Sequence, residues 1–107
     1  MKRQFIFLFI VIVNQANCQN KFDSLFLNSP SESINKIKLE FNDDYSNKTF
    51  LPLTVIKGKD KGIVFTILAG VHGAEYAPII ATQKLIKKFE VKRLSGTIII
   101  LPITNIG

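Results

Sequence analysis

The sequence has few of the residues that form covalent cross-links or histidine-rich metal sites: its 107 residues include one cysteine and one histidine. A single cysteine, Cys18, cannot form a disulfide within the chain. The longest uninterrupted apolar run, Phe5–Val13, has 9 residues, whereas a helix needs about 20 to cross a bilayer. The Gly-x-Ser-x-Gly pattern that carries the nucleophile of serine esterases is also absent from these residues.

The chain is basic, with 14 lysines and arginines against 8 acidic residues and a formal net charge of +6. The basic residues are scattered among Asp and Glu, and no basic stripe interleaved with aromatic residues occurs. The charge therefore indicates an ordinary surface and no nucleic-acid partner. A length of 107 residues allows one small hydrophobic core and no more than one domain.

Residues 1–18 have the composition of a secretory signal peptide. A basic start is followed by the apolar run and then by a polar exit. Ala16 and Cys18 lie three residues and one residue before a cleavage site in front of Gln19, and this cleavage would remove the only cysteine. Alternatively, Cys18 carries the lipid of a bacterial lipoprotein. Both interpretations predict an exported protein, periplasmic or secreted, whose membrane contact is limited to a lipid anchor at Cys18 if that anchor is present.

The first part of the mature chain predicts a lead-in and two strands. We expect residues 19–33 to be irregular because they are polar and contain Ser-Pro-Ser-Glu-Ser. Residues 37–41 alternate between apolar and polar side chains, which indicates a half-buried strand. Leu51–Lys57 predicts a second strand, with Pro52 at its start or on a sheet edge.

Two further patterns follow this second strand. Residues 58–62 (GKDKG) form a charged stretch bracketed by glycines, the pattern in this chain that is most typical of a hairpin turn. Residues 63–69 (IVFTILA) are almost continuously apolar and rich in β-branched and aromatic side chains. Such a run predicts a strand that is covered on both faces.

Helical spacing begins after this strand and predicts a helix with one side against the core. The apolar residues that share this predicted core side are Ala77, Ile80, Ala81, Leu85 and Phe89. Residues 97–103 indicate another buried strand. A strand, a helix and a strand within about forty residues form a βαβ unit, whose two strands should be parallel. The predicted fold class is α/β, with this unit and the preceding strands in one domain over residues 34–107.

The only histidine, His72, follows the apolar strand, and Glu75 comes three residues later where the helix opens. Ligands of open α/β sheets collect beyond the carboxyl ends of the strands. Gly70 and Gly73 flank His72 and let the backbone turn sharply, so the two side chains can converge on one point. A zinc ion would give this convergence a function, because zinc binds imidazole nitrogen and carboxylate oxygen.

Ordinary structural roles also account for this pair. His-x-x-Glu spacing arises often by chance on helix surfaces, and a histidine in a glycine-rich loop can bond to backbone. A glutamate near a helix N-terminus is favoured by the helix macrodipole by about 0.3–1 kcal/mol. The strand-to-turn context leaves the metal site and these structural roles about equally supported by the residue pattern alone.

Two motifs within residues 51–107 resemble the succinylglutamate desuccinylase/aspartoacylase family, whose members are related to the zinc carboxypeptidases. The first family motif, Gly-x-His-Gly-x-Glu after a buried strand, is matched by Gly70, His72, Gly73 and Glu75. The second motif, Pro-x-x-Asn-Pro at the end of the next strand, is matched at Pro102 and Asn105. Ile106 stands where the family usually has the second proline. For Asn105 we favour a structural role, as a polar residue that ends a strand.

The resemblance implies a zinc-carboxypeptidase-like sheet, mixed or parallel, with flanking helices, of which residues 34–107 form the N-terminal part. It also implies that His72 and Glu75 are two ligands of a Zn²⁺ cofactor. In the family, the third ligand (a histidine), the catalytic glutamate and an Asn-Arg pair for the substrate carboxylate lie further along the chain. We therefore expect those groups beyond Gly107, and we expect the truncated chain alone to be inactive.

Three functions fit these sequence features. The first is an exported zinc-dependent hydrolase that cleaves an amide (or ester) bond of a small N-acyl amino acid-like substrate with metal-activated water. The second is a serine esterase of the α/β-hydrolase type, in which a His-Gly turn after a buried strand helps to shape the oxyanion hole. The third is a secreted binding protein without catalysis. The family resemblance favours the first.

Overall fold

The structure is a computed structural model that describes residues 23–72 and 74–105. Over these residues it is a mixed sheet of four strands with helical segments packed on its faces, and the predicted α/β class is confirmed. The elements in chain order are α1 (residues 23–27), β1 (Ser33–Asn42), β2 (Lys48–Lys57), β3 (Asp60–Leu68), α2 (Tyr76–Lys88), a 3₁₀ turn (Val91–Arg93) and β4 (Ser95–Leu101).

The strands lie in the order β1-β2-β4-β3. β1 and β2 form an antiparallel hairpin in which Ser33 lies opposite Lys57 and Asn42 opposite Lys48. β4 pairs antiparallel with β2 and parallel with β3. The parallel pairing confirms the predicted βαβ unit, and it brings the carboxyl ends of β3 and β4 to the same edge of the sheet.

Asp43 organises the turn between β1 and β2. Its Oδ1 accepts hydrogen bonds from the N–H groups of Tyr45 at 2.9 Å and of Asn47 at 2.7 Å. Its Oδ2 accepts a third, at 3.1 Å, from the side-chain amide of Asn47. These bonds, above all the one from the Asn47 backbone, hold the pKa of Asp43 below its ordinary value. Aspartate is common in turns because it can bond to the backbone in this way.

Pro52 lies in the middle of β2 and not at its start. β4 pairs with β2 only from Thr54 to Lys57. At Pro52 the neighbouring strand is β1 alone, with Lys38 opposite. At Pro52, β2 is therefore an edge strand on the side away from β1, as predicted. A proline, which has no N–H to donate, is tolerated on such an unpaired side.

The GKDKG stretch is not a hairpin turn, which corrects the interpretation from sequence. β4 separates β2 from β3 in the sheet, so the chain has to cross the start of β4. The crossing is close: the N–H of Gly58 donates to the carbonyl of Gly96 at 2.9 Å, and a Cβ on Gly58 would lie 2.1 Å from the carbonyl oxygen of Leu94. Gly58 has no Cβ, so the chain can pass this close to the start of β4 and does not need to reverse direction into a hairpin.

The sheet buries a separate cluster on each face. On one face, Ile86 of α2 packs with Ile56 and Ile100. On the other face, Phe26 of α1 packs against the cluster that contains Val55. Consecutive strand residues point to opposite faces, so β2 and β4 contribute to both clusters. Each fully buried aliphatic side chain stabilises the fold by about 1.5–3 kcal/mol.

α2 turns a different side toward the sheet from the one predicted. Its buried residues are Thr82 and Ile86, whereas Ile80 and Leu85 of the predicted core side are 48% and 39% exposed. The helix carries apolar side chains on more than one side, so their spacing did not decide which side contacts the sheet. Of the predicted set, Phe89 packs against the core, just past the end of the helix.

β3 is an edge strand of the described sheet, and the prediction that it is covered on both faces is wrong for these residues. Ile63, Val64, Phe65 and Leu68 are between 53% and 79% exposed. β3 has one neighbouring strand, β4. A continuous apolar run shows that both faces of a strand are hydrophobic, but burial also depends on which neighbours are present.

The segment before β1 also differs from the prediction. The lead-in expected to be irregular contains the helical residues 23–27, and Lys57 Nζ donates to the carbonyl of Ser29 at 3.0 Å in the turn that follows them. The predicted signal peptide, residues 1–18, lies outside the described residues together with Cys18. Of the helices that the structure describes, none is both long and apolar enough to span a membrane.

Candidate metal centre

The candidate ligands lie in the connection between β3 and α2. β3 ends at Leu68 and α2 begins at Tyr76, so His72 and Glu75 follow the carboxyl end of a parallel strand. The N–H of Glu75 donates to the carbonyl of His72 at 3.2 Å, which closes a tight turn between them. Gly73 lies outside the described residues.

The side chains of His72 and Glu75 converge. Nδ1 of the imidazole and Oε1 of the carboxylate are 2.8 Å apart, and Oε2 accepts a longer hydrogen bond, 3.4 Å, from the backbone N–H of His72. An ionised carboxylate can only accept, so Nδ1 carries the proton in this contact. The two side chains are 81% and 38% exposed, which leaves the pair accessible to a ligand from solvent.

Glu75 is turned toward His72 and not toward its own helix. It immediately precedes α2, but its side chain makes no capping hydrogen bond. The hydrogen bond from the His72 side chain is the main cause that lowers the pKa of Glu75, and the bond from the His72 backbone adds to it. The carboxylate is therefore held in its ionised form, which is the form that binds a cation.

The loop that leaves β4 is hydrogen-bonded to the loop that leaves β3. The N–H of Thr104 donates to the carbonyl of Ala69 at 3.0 Å, and its hydroxyl donates to the same oxygen at 3.2 Å. The N–H of Asn105 donates to the carbonyl of Gly70 at 2.9 Å. The exits of the two parallel strands are thus held together just before His72.

This link between the two exits includes the second family motif. Pro102 is buried and Asn105 is exposed, and Asn105 contributes through its backbone. β4 ends at Leu101, so Asn105 lies beyond the strand that it was expected to end, and its structural role stays a prediction. The role of Thr104 was not predicted from sequence. Its position just after the strand that should run parallel to residues 63–69 could have indicated that it lies near the exit of that strand.

Gly70 permits the turn that leads to His72. Its φ is +61°, in the left-handed region that favours glycine. A Cβ at this position would lie 3.1 Å from the Cα of Ile103 and 3.1 Å from the side chain of Ile79. The predicted sharp turn is present, and the same glycine lets the loop after β4 approach closely.

The pair offers two donors of the kind that zinc binds. Zinc takes imidazole nitrogen and carboxylate oxygen at about 2.0–2.2 Å, so two such donors at the tetrahedral angle lie about 3.3 Å apart. The observed separation of 2.8 Å between Nδ1 and Oε1 requires a small outward movement and loss of the proton on Nδ1. Across residues 23–72 and 74–105, no group of three or more His, Cys, Asp or Glu residues could hold a metal.

Comparison with known proteins finds a family that this region resembles. The model of the succinylglutamate desuccinylase/aspartoacylase catalytic domain matches residues 61–107. This match covers under half of the chain, and over these residues the chain is similar to that catalytic domain. The resemblance inferred from the two motifs is thereby confirmed for the segment that contains β3, the His72–Glu75 turn, α2 and β4.

A curated relative and two solved structures extend this match. Over 71 residues the chain is 34% identical to N-α-acetyl-L-2,4-diaminobutyric acid deacetylase of Halomonas elongata, with 64% of this chain and 20% of the relative covered. An aspartoacylase family protein from Mesorhizobium loti gives a TM-score of 0.61 at 25% identity, over 74% of this chain and 26% of that one. A succinylglutamate desuccinylase/aspartoacylase from Rhodobacter sphaeroides gives a TM-score of 0.52 at 26% identity, over 66% and 22%.

The chain spans about a fifth of the curated relative and a quarter of the solved structures that it matches. The structural matches confirm the predicted aspartoacylase-like and zinc-carboxypeptidase-like fold over this part. The structure places His72 and Glu75 side by side, as the first motif predicts, and their role as zinc ligands stays a prediction.

Proposed function

We propose that the full-length protein is a zinc-dependent hydrolase that deacylates a small N-acyl amino acid or a similar substrate. The observation that carries this proposal is the contact between His72 and Glu75 at the carboxyl end of β3. It falls in residues that match the catalytic domain of deacylating hydrolases. The name of the Halomonas relative, a deacetylase of an N-acetylated diamino acid, supports an amide-linked acyl group on a small amino acid as the substrate class.

His72 and Glu75 would hold the metal with an imidazole nitrogen and a carboxylate oxygen, together with donors from elsewhere in the full-length protein. When bound, zinc supplies Lewis-acid polarisation of the scissile carbonyl and a water of lowered pKa. Glu75 contributes a carboxylate that its hydrogen bonds keep ionised. The bonds from Thr104 and Asn105 to the exit of β3 keep the turn in place while a substrate binds.

Metal analysis of two variants tests this assignment. His72→Ala and Glu75→Gln in the full-length protein should each abolish both stoichiometric zinc content and amide hydrolysis on a panel of N-acyl amino acids, because each removes a proposed ligand. Glu40→Gln is a matched control, because Glu40 is an exposed carboxylate on β1, outside the candidate centre. Zinc that remains stoichiometric in His72→Ala, measured by atomic emission, would contradict the ligand assignment.

Inhibitors and a turnover assay distinguish the zinc hydrolase from the serine esterase and from the non-catalytic binding protein. A metal chelator should stop hydrolysis and a serine-directed reagent should not. The reverse pattern would favour a serine esterase. Zinc binding without turnover on any substrate of the panel would favour a secreted binding protein.

We also propose that the protein is exported. The order of charge, apolar run and polar exit in residues 1–18 supports this proposal. Mass spectrometry of the purified protein should find either Gln19 as the first residue or a lipid on Cys18. A mature protein that retains residues 1–18 would contradict export by this signal.

A further inference from the structure

We propose that a groove between the β1–β2 hairpin and α2 binds an amphipathic carboxylate, with its apolar body on the groove floor and its anionic head among three lysines. Neither His72 nor Glu75 lines this groove. The proposal is therefore independent of the zinc chemistry proposed above, and each can fail without the other.

The groove is built on the sheet face that α2 covers. Across the hairpin, Lys36 lies opposite Thr54 and Lys38 opposite Pro52, and these residues alternate with those of the opposite face. The groove has a volume of about 390 Å³, near the lower end of the range of about 300–1,000 Å³ that is typical of small-molecule sites.

The apolar surface of the groove comes from three parts of the chain. β2 contributes Phe50 and Pro52, α2 contributes Ile86, and Pro102 follows the end of β4. Ligand area that is buried against such surface stabilises binding by about 25 cal/mol per Å². The floor therefore favours a ligand with an apolar body of modest size.

The charge in the groove has one sign. Lys36, Lys38 and Lys87 line it, and none of its lining residues carries a carboxylate. Within residues 23–72 and 74–105, no ion pair joins any of these three lysines to an acidic side chain. The ammonium group of Lys38 lies 4.9 Å from the ring centre of Phe50, which places charge directly beside the apolar surface.

These two properties select the ligand class together. Each exposed charge pair is worth about 0–1 kcal/mol, so the three lysines alone would bind a small inorganic anion only weakly. A neutral apolar molecule would leave three lysines without a counter-charge, and an apolar cation would be repelled. A carboxylate with a medium-length alkyl or aromatic body uses both the floor and the lysines.

Calorimetric titration of the full-length protein with decanoate tests the proposal. We expect saturable binding of one decanoate per chain. Acetate has the same head without the tail, and decyltrimethylammonium has the same tail with the opposite charge. Both should bind at least about 10-fold more weakly, a difference of about 1.4 kcal/mol. Absence of saturable decanoate binding, or equal binding of decyltrimethylammonium, would overturn the proposal.

Two triple variants with the same change in net charge locate the binding. Lys36→Gln, Lys38→Gln and Lys87→Gln together should weaken decanoate binding by about 10-fold or more. The control carries the same substitution at exposed lysines outside the groove, namely Lys59, Lys61 and Lys84. The control should bind within about 2-fold of the parent. Far-UV circular dichroism establishes that both fold.

Equal loss in the two triple variants would show a general effect of net charge and would overturn the site. Saturable binding of polyglutamate, with no binding of decanoate, would also overturn it and would indicate an acidic polypeptide as the occupant.

Discussion

Replacement of Gly96 by alanine tests the close approach of the start of β4 to the backbone of β3. Gly96 has a φ of +97°, which an L-residue with a side chain rarely adopts. A Cβ at this position would lie 2.4 Å from the carbonyl oxygen of Ile63. The clash is with backbone, so a rotation of a side chain cannot relieve it.

Two contributions determine the size of the effect. Positive φ costs a residue with a Cβ about 1–2 kcal/mol. Displacement of the Gly96 backbone away from Ile63 would also disturb the bond that the Gly96 carbonyl accepts from the N–H of Gly58, 2.9 Å long, and one such bond is worth about 0.5–1.5 kcal/mol. We expect Gly96→Ala to lower the free energy of unfolding by about 2–3 kcal/mol, a large share of a typical total of about 5–15 kcal/mol.

Urea unfolding of the full-length protein, followed by far-UV circular dichroism, measures this change. Lys59→Ala is the control, because Lys59 lies exposed in the connection between β2 and β3 and its replacement should change stability by less than about 0.5 kcal/mol. A Gly96→Ala variant as stable as the control would refute the reasoning, since the two segments could then separate at no cost.

Two further predictions concern the core and the β1–β2 turn. Ile100→Ala should lower the free energy of unfolding by about 2–5 kcal/mol, because Ile100 is fully buried. Ile63→Ala should change it by less than about 0.5 kcal/mol, because Ile63 is exposed. If urea unfolding found the larger loss for Ile63→Ala, β3 would belong to the core. Asp43, whose pKa is lowered in the fold by bonds from Asn47, should stabilise the protein above its unfolded pKa near 4, and this contribution should be lost as the pH falls through the lower folded pKa. The melting temperature of Asp43→Asn, followed by circular dichroism, should therefore lie below that of the parent at pH 6 and approach it at pH 2; a constant difference would contradict this role.

The strands and the helix were predictable because local patterns specify them. Alternation over residues 37–41 and the apolar run over residues 97–103 each indicated a strand that the structure contains. The exposed β3 and the buried side of α2 were not predictable in the same way. Burial depends on which elements are neighbours. Ile80 and Ile86 are both isoleucines that lie on different sides of the helix, so hydrophobicity alone could not show which side contacts the sheet.

The candidate site was predictable to a similar extent. The change from strand to helical spacing around His72, with Glu75 three residues later, predicted that the two side chains can converge, and the family resemblance then favoured a shared metal ion over ordinary structural roles. The bonds from Thr104 to Ala69 needed the parallel pairing of β3 and β4 in three dimensions. The groove lysines come from β1 and α2, which only the hairpin register and helix position bring together.

The unequal lengths of the paired strands have a consequence for how the protein opens. β1 and β2 face each other over 10 residue pairs, but β4 accompanies β2 only from Thr54 onward. The remainder is a two-stranded ribbon that extends past the carboxyl end of β4, and such ribbons are marginally stable in water. Amide protons around Phe50 should exchange with deuterium sooner than those around Val55, and limited proteolysis should cut first at the tip near Tyr45.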